Sequence, residues 1–144
     1  MRQKIGLKKG DVVGFVAANT PELYEAHFSV PMAGMVLNAI NYRLDSKTIS
    51  YIIDHAEIKL LVVDKEFSSV IAESVKRSKI KPILIDIDDP HLSGGELLGS
   101  LDYERFLTTG SKDFTIVEPL DEWDTISINY TSGTTGNPKG VVYH

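Results

Sequence analysis

The chain has 144 residues, with 15 Lys and Arg against 20 Asp and Glu and a formal net charge of −5. It has no concentrated basic face of the kind sequence-independent nucleic-acid binding requires. It also has no cysteine, which excludes disulfides, Cys-ligated zinc and thiol catalysis by this segment. Hydrophobic residues at 42% and charged residues at 24% are ordinary globular proportions, and the length suits one domain or part of a larger one.

The start, MRQKIGLKKGDVVGF, is basic but lacks the apolar stretch of a secretory signal. It reads as the middle of a domain, with a polar turn at Gly10-Asp11 feeding a strand. Residues 12–18 are a short, nearly continuous apolar run, the pattern of a strand buried on both faces. Thr20 then suits an N-cap, Pro21 the first helical position and Glu22 the positive end of the helix dipole. Leu23, Ala26, His27 and Val30 recur at helical spacing. Pro31 is expected to kink or end this helix and Gly34 to close the turn. A second strand is expected over 35–40.

Asp45 reads as the next N-cap, with Leu44 and Ile49 at the spacing of a hydrophobic staple. Ile49, Ile52, Ile53 and Ala56 mark one helical face. A strand over 59–64 follows. A helix is then marked by Phe67, Val70, Ile71, Ser74 and Val75, with Lys76, Arg77 and Lys79 near its negative end. Another strand is expected over 81–86. This β-α-β-α-β-α-β order predicts an α/β fold: a mainly parallel sheet with helices on its faces. Residues 87–124 are acidic and show little apolar periodicity, so they read as a surface excursion with one short helix near 101–107. The chain re-enters with a strand over 125–130. No run approaches the roughly 20 apolar residues a membrane helix needs.

The stretch TSGTTGNPKG, residues 131–140, follows that strand and contains no carboxylate. Glycines let backbone N–H groups converge on an anion, Thr and Ser hydroxyls add donors, and Lys139 adds a compact positive charge. The Walker spacing fails, because Pro138 falls where its second glycine belongs and Gly140 follows Lys139. The dinucleotide spacing fails because Thr135 stands at its second glycine. Pro138 and the apolar 141–143 instead predict strand–loop–strand, a hairpin-like flap. Composition leaves two readings open at this point, a phosphate-holding loop and a plain polar turn.

The run from Tyr130 through Val142 resembles the signature loop of the adenylate-forming superfamily, which includes acyl-CoA synthetases, luciferases and peptide-synthetase adenylation domains. Residues 10–64 are similar along their length to the first part of the same proteins, with NYRLD at 41–45 matching an Asn-x-Arg-Leu segment. The wording is nearest to plant acyl-activating enzymes. The likeness covers nearly the whole chain and is weakest over 87–124. It implies that residues 1–144 are part of the large N-terminal domain of such an enzyme, incomplete at the C-terminal end and at the start.

The implied reaction joins a small-molecule carboxylic acid to ATP, releasing pyrophosphate, and then passes the acyl group to coenzyme A, with Mg2+ assisting at the phosphates. Carried over by position, Thr131, Ser132, Gly133, Thr134, Thr135 and Gly136 would contact phosphate and Lys139 would supply charge. A mobile flap suits gripping and then releasing pyrophosphate. The family's catalytic lysine, magnesium carboxylate and adenine and ribose contacts match no position here. The chain by itself is therefore expected to be inactive and to leave apolar sheet edges bare. The alternative is a non-catalytic short form that binds nucleotide weakly or a protein partner. The cytoplasm and the peroxisome both stay open, as does oligomeric state.

The histidines at 27, 55, 91 and 144 share no metal-ligand spacing. His27 is expected to pack, Arg43 to hold a strand–helix corner, the acids of 86–89 and 102–104 to be solvated, and Trp123 to cover the core. His144 resembles a position on the substrate side of the family's site.

Overall fold

A computed structural model describes residues 1–131 and 136–144, except for the side chains of Arg2 and Gln3. Six strands form one sheet in the order β4-β3-β1-β2-β5-β6. They are β1 (Val12–Val16), β2 (Val36–Ala39), β3 (Leu60–Asp64), β4 (Ile83–Ile87), β5 (Ser127–Thr131) and β6 (Lys139–Tyr143). Among the described residues the α-helices are α1 (Arg2–Ile5), α2 (Pro21–Met32), α3 (Ser46–His55), α4 (Ser68–Arg77) and α5 (Tyr103–Thr108), with a 3-10 turn over Lys65–Phe67 before α4. All strand pairs are parallel except β5 with β6. This is the α/β architecture the alternating pattern predicts, and the comparisons below bear it out.

The sheet order explains the layers. The chain moves from β1 to β2 in one direction, then returns past β1 to β3 and on to β4. Right-handed crossovers require helices on opposite faces when the direction reverses. Accordingly Ala26 and Val30 of α2 join Val13, Phe15, Leu37, Leu60, Val62 and Ile85 in one core. Ile49, Ile52 and Ile53 of α3 and Ile71 of α4 join Val12, Val16, Leu61 and Val63 in the other. Gly14 faces this second core, where an added Cβ would lie 2.7 Å from Leu61 Cδ1, so any larger residue there would require Leu61 to shift.

Local chemistry places most helix ends. The Asp45 carboxylate accepts from Thr48 N at 2.9 Å, and this bond holds its pKa below the usual carboxylate value. Leu44 packs against the cluster containing Ile49, as a staple requires. Gly34 turns at φ +76° after Pro31, which sits one residue before the helix end. Thr20 has the extended backbone of an N-cap, but its hydroxyl makes no cap bond and is buried without a partner among the described residues. The helix start there is set by Pro21. The short α1 carries no predictive pattern. It packs Met1 and Ile5 against the first core.

The excursion over 87–124 is tied down more firmly than its composition suggests. Asp86, expected to be solvated, is 1% exposed, and its two carboxylate oxygens accept from Leu98 N at 3.0 Å and Gly99 N at 2.7 Å. Asp102 caps α5 by accepting from Arg105 N, and α5 delivers buried Tyr103 and Phe106 into the first core. Val117 N donates to Met32 O at 2.9 Å, and Lys9 pairs with Asp124 at 2.9 Å. Trp123 does not cover the core: it is 70% exposed and lies against His144, with ring centroids 4.4 Å apart. His27 is exposed, its Nδ1–H donating to Leu23 O at 2.8 Å, because the buried stripe of α2 runs through Ala26 and Val30. Among the described residues, no helix is long and apolar enough to cross a membrane.

Candidate functional site

The glycine-rich stretch joins two antiparallel strands, as Pro138 and the apolar residues after it predict. The register runs Ser127–Tyr143, Ile128–Val142, Asn129–Val141, Tyr130–Gly140 and Thr131–Lys139. Thr131 and Lys139 are therefore the last pair before the loop, facing each other across its base, and both are exposed. Gly136 sits at φ +153° with open space where a Cβ would point. Ser132, Gly133, Thr134 and Thr135 lie outside the described residues.

Residues 125–144 contain no Asp or Glu. Lys139 forms no ion pair among the described residues, so its charge is available to a ligand. Hydroxyls, backbone N–H groups and one ammonium form a donor set suited to phosphate oxygens. Among the described residues there is also no group of three or more His, Asp or Glu able to hold a metal.

The sheet offers a second crevice, at the carboxyl ends of β3 and β4, where open α/β sheets commonly take ligands. It has a volume of about 270 Å³ and is lined by Thr20, Glu22, Asp64, Asp88, Asp102 and Glu104, among others. Its carboxylates would repel a phosphate. Lys65 is already paired there with Asp88 at 2.6 Å.

Beside the β2–β5 backbone pairing, two side chains attach the hairpin, one from β2 and one from α3, and both escape sequence reasoning. Asn38 on β2 is fully buried, and its Nδ2 donates to Ile128 O at 2.5 Å. Its Oδ1 has no partner among the described residues. An unpaired buried acceptor of this kind costs about 1–3 kcal/mol. His55, in the last turn of α3, bonds through Nδ1 to the Tyr130 hydroxyl at 2.6 Å. Tyr51 stacks on the same imidazole with centroids 5.1 Å apart. Burial, with a smaller contribution from Tyr51, pushes the Tyr130 hydroxyl up to about 12. Their signal was faint: Asn38 is the one polar residue in an otherwise apolar strand, and His55 sits among residues of a helix end.

Arg43 is exposed, with its guanidinium 5.5 Å from the Tyr42 ring centre, and Tyr42 stacks on Phe67. His144 Nδ1–H donates to Glu122 O at 3.2 Å, which links the end of the chain to the excursion.

Over residues 1–144 the chain matches the family described as AMP-binding enzyme, and it belongs to that family. Among curated proteins it is 44% identical over 145 residues to a probable acyl-activating enzyme of Arabidopsis thaliana, covering 96% of this chain and 27% of that protein. It is 40% identical to an acetate/butyrate–CoA ligase of the same plant, described as peroxisomal, covering 94% and 26%. It is also 40% identical to a 2-methylpropanoate–CoA ligase of Humulus lupulus, covering 96% and 26%. The chain thus spans about a quarter of the length of these relatives. Among solved structures, an anthranilate CoA ligase in complex with anthranoyl-AMP superposes with a TM-score of 0.85 at 24% identity, over 96% of this chain and 26% of that one. A Brucella canis acyl-CoA synthetase gives 0.77 at 25% identity, over 95% and 24%.

Proposed function

We propose that this chain supplies the phosphate-gripping loop and supporting sheet of an ATP-dependent carboxylate–CoA ligase, as part of that enzyme's N-terminal domain. The observation that carries the reading is the carboxylate-free hairpin closed by Thr131 and Lys139, in a chain that belongs to the AMP-binding family. In the reaction a carboxylate oxygen attacks the α-phosphorus of ATP, and the bond from that phosphorus to pyrophosphate breaks. The thiol sulfur of coenzyme A then attacks the acyl carbon and AMP leaves. Relatives named for acetate, butyrate and 2-methylpropanoate support a short aliphatic acid as substrate.

The work assigned to these residues is to hold the β- and γ-phosphates while the leaving group forms. The Thr131 hydroxyl donates to a phosphate oxygen, and Lys139 Nζ places a positive charge beside the oxygens that gain negative charge. Ser132, Gly133, Thr134, Thr135 and Gly136 complete the cradle through N–H and hydroxyl donors. Mg2+, when bound with ATP, would neutralise part of the phosphate charge.

Calorimetric titration of the 144-residue chain with MgATP tests this. Weak binding is expected, reduced roughly tenfold or more in Lys139→Ala, the effect of losing a charged hydrogen bond of about 1.5–3 kcal/mol. Equal affinity in wild type and Lys139→Ala would reject the phosphate role. The 144 residues alone are expected to give no ATP–pyrophosphate exchange with acetate or butyrate. Robust exchange would overturn the assignment of catalysis to groups outside them.

A further inference from the structure

The hairpin is held to the sheet in an unusual way. Between β2 and β5 the registered ladder consists of one pair, Leu37 with Ser127, and Leu37 N donates to Ile126 O at 3.0 Å. In a continued parallel ladder the next rung would run from Ala39 N to Ile128 O. Instead the Asn38 side-chain amide reaches that same carbonyl. Two residues further along, the Tyr130 hydroxyl is held by His55 from α3. The attachments fall on Ile126, Ile128 and Tyr130, and the last of these precedes Thr131 at the loop base. As the backbones of β2 and β5 part, side chains take over the pairing.

We infer that Asn38 and His55 are positioning residues for the loop. They fix the angle at which the β5–β6 hairpin leaves the sheet, and so the place at which Thr131 and Lys139 present their donors. The inference rests on the phosphate reading of that loop. Packing alone does not account for Asn38. A fully buried amide whose oxygen has no partner among the described residues serves a core worse than an aliphatic residue of similar size. Its contribution is direction: it holds a carbonyl that the ladder no longer reaches. His55 acts from an exposed helix end, where its ring gains little from burial but meets Tyr51 on one side and the Tyr130 hydroxyl on another.

The test uses the 144-residue chain and its variants Asn38→Leu, His55→Ala, His55→Asn and Tyr130→Phe. Amide hydrogen exchange is followed over 126–131 and 139–143 without nucleotide. Exchange there is expected to quicken at least tenfold in Asn38→Leu, His55→Ala and Tyr130→Phe, with β1, β3 and β4 unchanged. His55→Asn, which keeps a polar atom at the Nδ1 position, is expected to restore most of the protection. The double variant His55→Ala/Tyr130→Phe should exchange no faster than either single one. Unchanged hairpin exchange, or a uniform rise across the sheet, would overturn the positioning role. Should Asn38→Leu fail to fold, the His55 and Tyr130 variants decide the question. MgATP affinity is then measured on the same proteins. A loosened hairpin with unaltered affinity would remove the phosphate reading while leaving the attachment itself standing.

Discussion

Asp86 lies between buried Ile85 and Ile87 on β4, and its carboxylate accepts from the backbone N–H groups of Leu98 and Gly99. Replacing it with Ala strands both donors, so Asp86→Ala is expected to lower stability by roughly 2–4 kcal/mol in urea unfolding, with Asp86→Asn milder. Sequence reading placed this residue among solvated acids, since it stands beside Asp88 and Asp89. Its partners lie 12 and 13 residues further on, in a stretch without periodicity. Asn38 was hidden for the same reason, because its partner is 90 residues away. Asp45, by contrast, was legible because its cap bond closes within three residues. Tyr130 offers a second prediction. Its hydroxyl is raised from about 10 to about 12, so the folded state holds the proton more tightly than the unfolded chain. Its contribution to stability is full below pH 10 and is lost as pH rises toward 12. Tyrosinate absorbance from Tyr130, isolated by comparison with Tyr130→Phe, should appear only near that upper value.

At the level of elements, the β-α alternation was readable because apolar period and helix starts are local. The hairpin was readable because Pro138 blocks a helix after the loop. What was not readable is how far the excursion reaches back: α5 places Tyr103 and Phe106 in the core, and Val117 bonds the end of α2. Gly34 shows the same closeness. It combines φ +76° with a site where a Cβ would lie 2.8 Å from Val117 Cγ1. Gly34→Ala should therefore cost roughly 1–3 kcal/mol. Gly10→Ala, at φ +85° with open space around it, should cost less, carrying only the backbone part. Urea midpoints of the two variants measured side by side would check the difference.

At the scale of the molecule, the sheet is unevenly clothed. Strands β1 and β3 are buried along their length, whereas every residue of β6 is exposed. Val141, Val142 and Tyr143 expose apolar area on β6, which is an edge strand of the sheet among the described residues. Such an edge favours self-association. The chain is expected to associate with rising concentration in sedimentation experiments, and Val142→Lys to shift it toward the monomer. An unchanged distribution would show that other surfaces control association.

The acidic crevice at the ends of β3 and β4 acquires a meaning beside the cationic hairpin base. A polyanion arriving from solvent meets Asp64, Asp88, Asp102 and their neighbours as a barrier, and Lys139 as an attraction. The two features polarise the molecule. On the phosphate reading, charges within about 8 Å, the screening distance at physiological salt, would turn an approaching polyphosphate before any hydrogen bond forms. On the proposed phosphate reading, these carboxylates would narrow the directions from which a nucleotide tail approaches the hairpin base, a selection against misdirected encounters.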